Sequence, residues 1–377
     1  MRRDVAALAA MQRDSAGIGE RGAASWVAGR LREAGVTDVA IEPFRYQGTF
    51  AHAHALHHAA GLAAAALPQP ATRAGLALAA LASLELEGSG RRQWLRRLLP
   101  AGEGANVVAR VPAAGAARET IVVAAHHDAA RGGLFWHPRL AGLTAARNAH
   151  RRAIDGYLQP AAAGYVLAAL PSRAARAAGA ALLATALAAA LDIARSRTVP
   201  GASDNATGVA ALLALAEELA AAPLEHADVV LLSTGCEESG MGGMAAFLRD
   251  HAPDPARTFV LGLDTLGAGT PVQLRAEGVI RAHAYAERDL DRVDAAARGA
   301  GLAPPPRWRL GGWTDPILAR FKGIPAVSIL SMGGGMIPEY HRPTDTPERV
   351  DWGCVDGCLA LARAVLRTAG GASPGRH

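Results

Sequence analysis

Three apolar runs of strand length each lead to a carboxylate or an imidazole. Ile121-Val122-Val123-Ala124-Ala125 delivers His126, Val229-Val230-Leu231-Leu232 leads to Glu237-Glu238, and Phe259-Val260-Leu261-Gly262-Leu263 delivers Asp264. A run that is apolar at every position suits a strand covered on both faces, and helical patterns separate these runs. The chain therefore reads as an α/β protein, a three-layer α/β/α arrangement around a mostly parallel, mixed central sheet. In such sheets ligands bind beyond the carboxyl ends of the strands, where these polar residues fall.

Two further stretches, Ser203-Asp204-Asn205 and Tyr340-His341, extend the set. Zinc accepts nitrogen from neutral His and oxygen from Asp or Glu, and a catalytic site leaves a position for water. Two His, two Asp and two Glu fit two such ions that share a carboxylate, an arrangement that acidifies a water and polarises a carbonyl. One carboxylate must then stay off the metals to accept a proton. The tandem Glu237-Glu238 offers both a ligand and a base.

The strings Pro200-Gly201-Ala202-Ser203-Asp204-Asn205-Ala206-Thr207-Gly208, Cys236-Glu237-Glu238-Ser239-Gly240 and Tyr340-His341-Arg342-Pro343-Thr344-Asp345-Thr346-Pro347 closely resemble the co-catalytic zinc aminopeptidases of the leucyl aminopeptidase and aminopeptidase Y type, in clan MH. The resemblance spans both ends of the chain apart from two insertions. It implies a zinc-exopeptidase-like fold, two Zn2+ ions and hydrolysis of peptide substrates at the amino terminus. One zinc would be held by His126, Asp204 and Asp264, the other by Asp204, Glu238 and His341. Glu237 is then the general base and later the general acid, and Asp128 orients His126 through the free ring N–H. The resemblance also implies an unusual peptide bond after Asp128, an oxyanion-donor or loop-supporting role for Tyr340, and a substrate-side position for Trp313-Thr314-Asp315, with Asp315 as a binding residue. Within the same fold, a one-zinc glutaminyl cyclase-like acyltransferase is an alternative. A carboxypeptidase or dipeptidase would need a cation for the substrate carboxylate, and a noncatalytic receptor-like scaffold conflicts with the intact Glu237.

Other polar residues have blander readings. His127 should point away from His126 in an extended segment and serve packing or the surface. His52, His54, His57 and His58 read as polar positions at the start of an insertion. Cys236, Cys354 and Cys358 form neither a disulfide framework nor a zinc-ligand spacing, and Cys354 and Cys358 share a helical face. Gly333-Gly334-Gly335 lacks the context of a phosphate cradle and reads as a flexible substrate-side loop. Residues 208–222 and 355–368 read as helices, and 323–330 as a further strand.

The net charge of +5 and pI near 9.5 raise the question of nucleic acid. No recognition helix, finger spacing or aromatic-basic platform accompanies the charge, so nucleic acid is not expected as a partner. Lys322 is the only lysine; the positive charge is otherwise arginine. With 377 residues the chain is long enough for a single large zinc-peptidase domain, 1–377. Residues 20–27 read as its first helix, with Gly35 as the stop, and no signal peptide precedes them. A cytoplasmic location is the expectation.

Two Ala-rich insertions interrupt that domain, at 49–102 and 132–199. Each reads as a helical hairpin: 57–67 with 74–86 around Pro68-Gln69-Pro70, and 161–170 with 174–194 around Pro171-Ser172. Because both flank the strand ending at His126, they are expected to pack together beside the site. A helical cap or homodimer element is the first reading. A membrane surface is the second, since basic groups flank the hairpins; Arg73, Arg173 and Arg176 at the tips weigh against crossing a bilayer.

Overall fold

The structure is a computed structural model and describes residues 1–369. It begins with α1 (Arg2–Ala9) and α2 (Ile18–Glu33). The helix expected over 20–27 is thus longer, a further helix precedes it, and Gly35 ends it at φ 95°. β1 (Asp38–Tyr46), α3 (Ala51–Ala66), α4 (Pro70–Gly88), β2 (Gly102–Val111) and β3 (Glu119–His126) follow. Next come α5 (Pro138–Arg151), α6 (Gln159–Ala169), α7 (Arg173–Arg195) and α8 (Thr207–Ala221). The chain continues through β4 (Ala227–Thr234), α9 (Gly242–Asp250), β5 (Thr258–Leu263), β6 (Thr270–Glu277) and β7 (His283–Ala284). It closes with α10 (Glu287–Gly299), β8 (Arg307–Leu310), α11 (Pro316–Phe321), β9 (Ala326–Met332) and α12 (Trp352–Arg367).

The strands form one sheet in the order β1-β2-β4-β3-β5-β9-β6-β7, with β8 beside β6. The four in the middle, β4, β3, β5 and β9, run parallel, while β1, β2, β6 and β7 pair antiparallel. Parallel strands need covered faces, and β5 and β9 are buried at every residue, as their unbroken apolar sequence requires. The register pairs His126 with Thr234, Ala124 with Gly262 and Leu263 with Ile329. The segments after β3, β4 and β5 therefore emerge along one edge of the sheet. α8, apolar almost throughout, packs against β3 and β5 and carries the preceding Ala202–Ala206 turn to that edge.

Helices α3, α4, α6 and α7 pack on one another and share a small core of their own around Leu84, Tyr165, Ala168 and Leu183. The histidines of α3 differ from the sequence expectation. His54, His57 and His58 are buried, because that face of α3 packs against α4 and α6. His57 faces Ala53 O at 2.7 Å and Ser83 Oγ at 2.8 Å, and His58 Nδ1 lies 3.1 Å from Tyr165 Oη. The glycine run also departs from a flexible loop. Gly335 sits at φ 82°, and a Cβ there would lie 1.9 Å from Ala145 O of α5, so close packing demands the glycine.

Candidate metal centre

Five side chains predicted to bind metal meet at the carboxyl edge of the sheet. His126 ends β3, Asp204 lies in the turn before α8, Glu238 in the turn after β4, Asp264 directly after β5, and His341 in the segment before α12. His126 Nε2 lies 3.4 Å from Asp204 Oδ1 and 3.6 Å from Asp264 Oδ1. His341 Nε2 lies 3.3 Å from Asp204 Oδ2 and 3.2 Å from Glu238 Oε2. Each oxygen of Asp204 thus faces a different imidazole, and each imidazole faces a different second carboxylate.

These separations are long for charge-assisted hydrogen bonds. Donor atoms sharing a tetrahedral zinc at about 2.0–2.1 Å would stand about 3.3 Å apart. Asp204 Oδ2, Glu238 Oε1 and His341 Nε2 are moreover buried and have no hydrogen-bond partner among the described residues. Unsatisfied buried polar atoms are costly unless something else meets them. His126, Asp204 and Glu238 in particular bring one ligand atom each to within 4.8 Å of one another, close enough for a single cation.

The surroundings fix these groups in place. His126 Nδ1 faces Asp128, 3.2 Å from its carbonyl oxygen and 3.4 Å from Oδ1, which leaves Nε2 aimed at Asp204 and Asp264. Asp128 Oδ1 accepts from the Glu237 N–H at 3.1 Å, and Oδ2 accepts from the Glu238 N–H at 3.1 Å and Ser15 Oγ at 2.7 Å. One carboxylate therefore orients a histidine and holds both glutamates. The non-proline cis peptide lies between Asp204 and Asn205, not after Asp128 as the resemblance implied. His127 is buried and points to Ser233 Oγ at 3.0 Å, away from the cluster.

Several residues of this shell escaped the sequence reading. Asp345 accepts from the backbone N–H of Ser203 at 2.8 Å and of Asp204 at 3.0 Å. Glu20 accepts from the N–H of Ala16, Ala105 and Cys236 at 2.7, 3.0 and 3.1 Å, tying down the turn that bears Glu237. Buried Arg13 donates to the carbonyls of His127, Pro200 and Gly201. Trp136, from the segment between β3 and α5, packs edge-on against His341 at 4.4 Å, and Tyr340 stacks on the same ring at 3.8 Å. For Asp345 alone was there a signal, its place inside the Tyr340–Pro347 string.

Charge is the dominant property of the site. Burial raises the Glu237 carboxyl well above its ordinary range; His126 opposes this, and Asp315, Glu238 and Asp264 add to it. Burial likewise raises Glu238, to about 7, against the pull of His341. Burial would lower His341, but Glu238 and Asp204 outweigh it and bring the ring to about 10. Burial thus disfavours the charged carboxylates, and the carboxylates in turn favour the charged imidazole; bound cations would oppose the first effect and take the place of the proton in the second.

Glu237, Glu238, Trp313, Tyr340 and His341 border a small cavity of about 60 Å³ together with Arg96 from the segment between α4 and β2. Arg96 is buried and paired with Glu87. A narrower pocket touches His126, Asp204, Glu237, Glu238 and Asp264 directly, and its lining contains no Arg or Lys. Beyond Trp136 and Tyr340 opens a largely apolar cavity of about 480 Å³, reaching Leu140, Ile154, Met336 and Ile337. Trp313 borders the two smaller cavities. Asp315 does not line these cavities: it is buried at the start of α11, accepts from Thr234 Oγ1, and is raised to about 7 by burial.

Residues 176–366 match the model of Peptidase family M28. The fold is similar to that of an aminopeptidase from Aneurinibacillus sp. strain AM-1, with TM-score 0.59 at 14% identity over 98% of this chain and 92% of that one. It is also similar to the zinc aminopeptidase of Bacillus subtilis, with TM-score 0.56 at 14% identity over 97% and 93% of the two chains. The glutaminyl cyclase of Bacteroides thetaiotaomicron, bound to N-acetylhistamine, gives TM-score 0.55 at 15% identity over 97% and 96%. No curated protein matches the sequence.

Proposed function

The chain belongs to Peptidase family M28, and from that membership we propose that it is a zinc-dependent aminopeptidase releasing amino-terminal residues from peptides. His126, Asp204 and Asp264 would hold one zinc, and His341, Glu238 and Asp204 the other, with Asp204 as the shared ligand. Zinc in these positions supplies Lewis acidity toward a carbonyl oxygen and lowers the pKa of water.

The remaining work belongs to the protein. Glu237, held by its own N–H on Asp128, is the carboxylate left off the ligand set and serves as proton acceptor, then as donor to the leaving amine. Asp128 keeps the His126 ring in one orientation. Tyr340 borders the cavity against His341, where its hydroxyl is a candidate donor to the developing oxyanion.

The observation that carries the amino-terminal reading is the lining of the pocket on the ligand cluster, which contains no guanidinium or ammonium to hold a substrate carboxylate. Such a pocket offers no partner for a substrate carboxylate. The arginines that would favour a dipeptidase or carboxypeptidase line the adjoining cavities, and each already has a partner: Arg96 pairs with Glu87, Arg147 with Asp155, and Arg342 donates to Trp136 O. The apolar 480 Å³ cavity beside Tyr340 supports substrates with bulky apolar groups.

The test is a panel of free, acetyl-blocked and amidated peptides, assayed with metal content. Release from free and amidated peptides, with none from blocked ones, is the expected pattern. Cleavage that requires a free carboxyl terminus would overturn the reading, as would cyclisation of amino-terminal glutamine without hydrolysis. Glu237→Gln should keep its metal and lose about 10²–10⁴-fold in kcat.

A further inference from the structure

We propose that α3, α4, α6 and α7 seat in the hydrocarbon layer of a membrane, hairpin tips first, with the metal centre held beside the headgroups. The first observation is where charge is missing. In a chain with 39 Lys and Arg, α3 and α6 carry no charged residue. The charges of α4 are confined to Arg73, Glu85 and Glu87, and those of α7 to Arg173, Arg176, Asp192 and Arg195, all near helix ends. A water-facing helix normally carries a polar stripe opposite its core face.

The polarity of this bundle runs the other way. Leu56, Leu76, Leu78, Val166 and Leu170 face outward, 39–49% exposed. Three histidines of α3 face inward, where His57 pairs with Ser83 and His58 with Tyr165, while the uncharged polar groups His52, Thr72 and Thr185 are exposed. Inward pairing is the arrangement required where no water is present to satisfy the outer surface. Close backbone contact replaces bulky packing between α6 and α7: a Cβ on Gly179 would lie 2.7 Å from Gly164 O.

One of the tip arginines is already satisfied within the bundle. Arg73 is 2% exposed and folds back, its Nη1 donating to the carbonyls of Leu67 at 3.1 Å and Pro68 at 3.4 Å. It thereby satisfies backbone acceptors at the end of α3. Only α7 among the described residues is long and apolar enough to cross a bilayer, and 22% of its most apolar stretch is buried. Its 23 residues span about 34 Å, but α6 joins the same tip to Tyr157 at the metal-side cavity in 11 residues, about 16 Å, so the second hairpin enters only to about half of a hydrocarbon layer of about 30 Å.

The base of the bundle has the composition of a membrane interface. Trp94, 53% exposed, donates to Ser83 Oγ near the end of α4, with Arg91, Arg92 and Arg97 beside it in sequence. α5, which precedes α6, exposes Leu140 and Leu143 together with Arg139 and Arg147. Aromatic and basic groups at this level complement anionic headgroups.

Flotation of the full, zinc-loaded chain with vesicles tests this. Phosphatidylcholine vesicles with and without phosphatidylglycerol should both carry the protein upward, the anionic ones more strongly, and high salt should leave it bound. Leu78→Arg or Val166→Arg should cut the vesicle-bound to free ratio roughly a hundredfold, with an unchanged circular-dichroism melt as the check on folding. The proposal is overturned if the wild-type chain stays in the aqueous fraction with both vesicles. It is equally overturned if high salt strips it off, which would limit contact to the basic base. A lipid-indifferent dimer that Leu78→Arg splits would instead assign this face to a second copy. None of these outcomes depends on peptidase activity.

Discussion

Asp128 illustrates how much of the centre rests on a residue that is not a proposed ligand. Its two oxygens and its carbonyl meet His126, Ser15 and the backbone of Glu237 and Glu238, so one side chain sets the direction of an imidazole and the position of two carboxylates. Asp128→Asn would keep the volume but present an NH2 to one of those donors. The expected result is a 10–100-fold weaker affinity for zinc, read by competition with a chelator, together with a fall in kcat. Unchanged affinity would reduce Asp128 to a packing role. The proposed ligands were legible because each follows an apolar run or sits in a recognisable string. Glu20 and Asp345 were not, because they act on distant backbone N–H groups. Glu20 serves Cys236, 216 positions along the chain, and nothing local to a helix reveals such a partner.

Among the elements, β3, β5 and β9 were readable from unbroken apolar sequence, since burial on both faces leaves no polar positions. β6 was hidden because Gln273, Arg275 and Glu277 interrupt its apolar residues, β7 is two residues long, and α5 mixes glycine, arginine and asparagine. Yet β6 contributes a consequential group. Glu277 accepts from Thr314 N at 2.6 Å, Thr314 Oγ1 at 2.7 Å and Tyr285 Oη, and so anchors the segment bearing Trp313. Burial raises its carboxyl from 4.5 to about 8, with the hydrogen bonds from Tyr285 and Thr314 opposing the shift. The folded state therefore binds the proton more tightly than the unfolded one. Stability from this group is complete below about pH 4.5 and is lost as pH rises through about 8. Thermal unfolding across that window should show the wild type losing stability with pH relative to Glu277→Gln, by a few kcal/mol in total. Parallel pH profiles for the two proteins would show that Glu277 is ionised in both states.

At the scale of the whole molecule, the candidate ligands are drawn from positions 126, 204, 238, 264 and 341, so binding cations would join segments that the chain otherwise brings together only by folding. A cation bound by the folded state alone stabilises it by RT ln(1 + [L]/Kd), about 4 kcal/mol at a thousandfold excess over Kd. In a domain of this size that amounts to several degrees in Tm. Removing metal with a chelator should lower Tm by that amount, and adding zinc back should restore it in proportion to the logarithm of its free concentration. Asp204→Asn weakens the one side chain that faces both imidazoles, so its Tm should respond little to either treatment. His341→Ala leaves His126, Asp204 and Asp264 together and should keep a smaller response. If Asp204→Asn and His341→Ala responded as fully as the wild type, the stabilising cation would lie elsewhere in the molecule, and the ligand assignment would have to be abandoned even if the enzyme remained active.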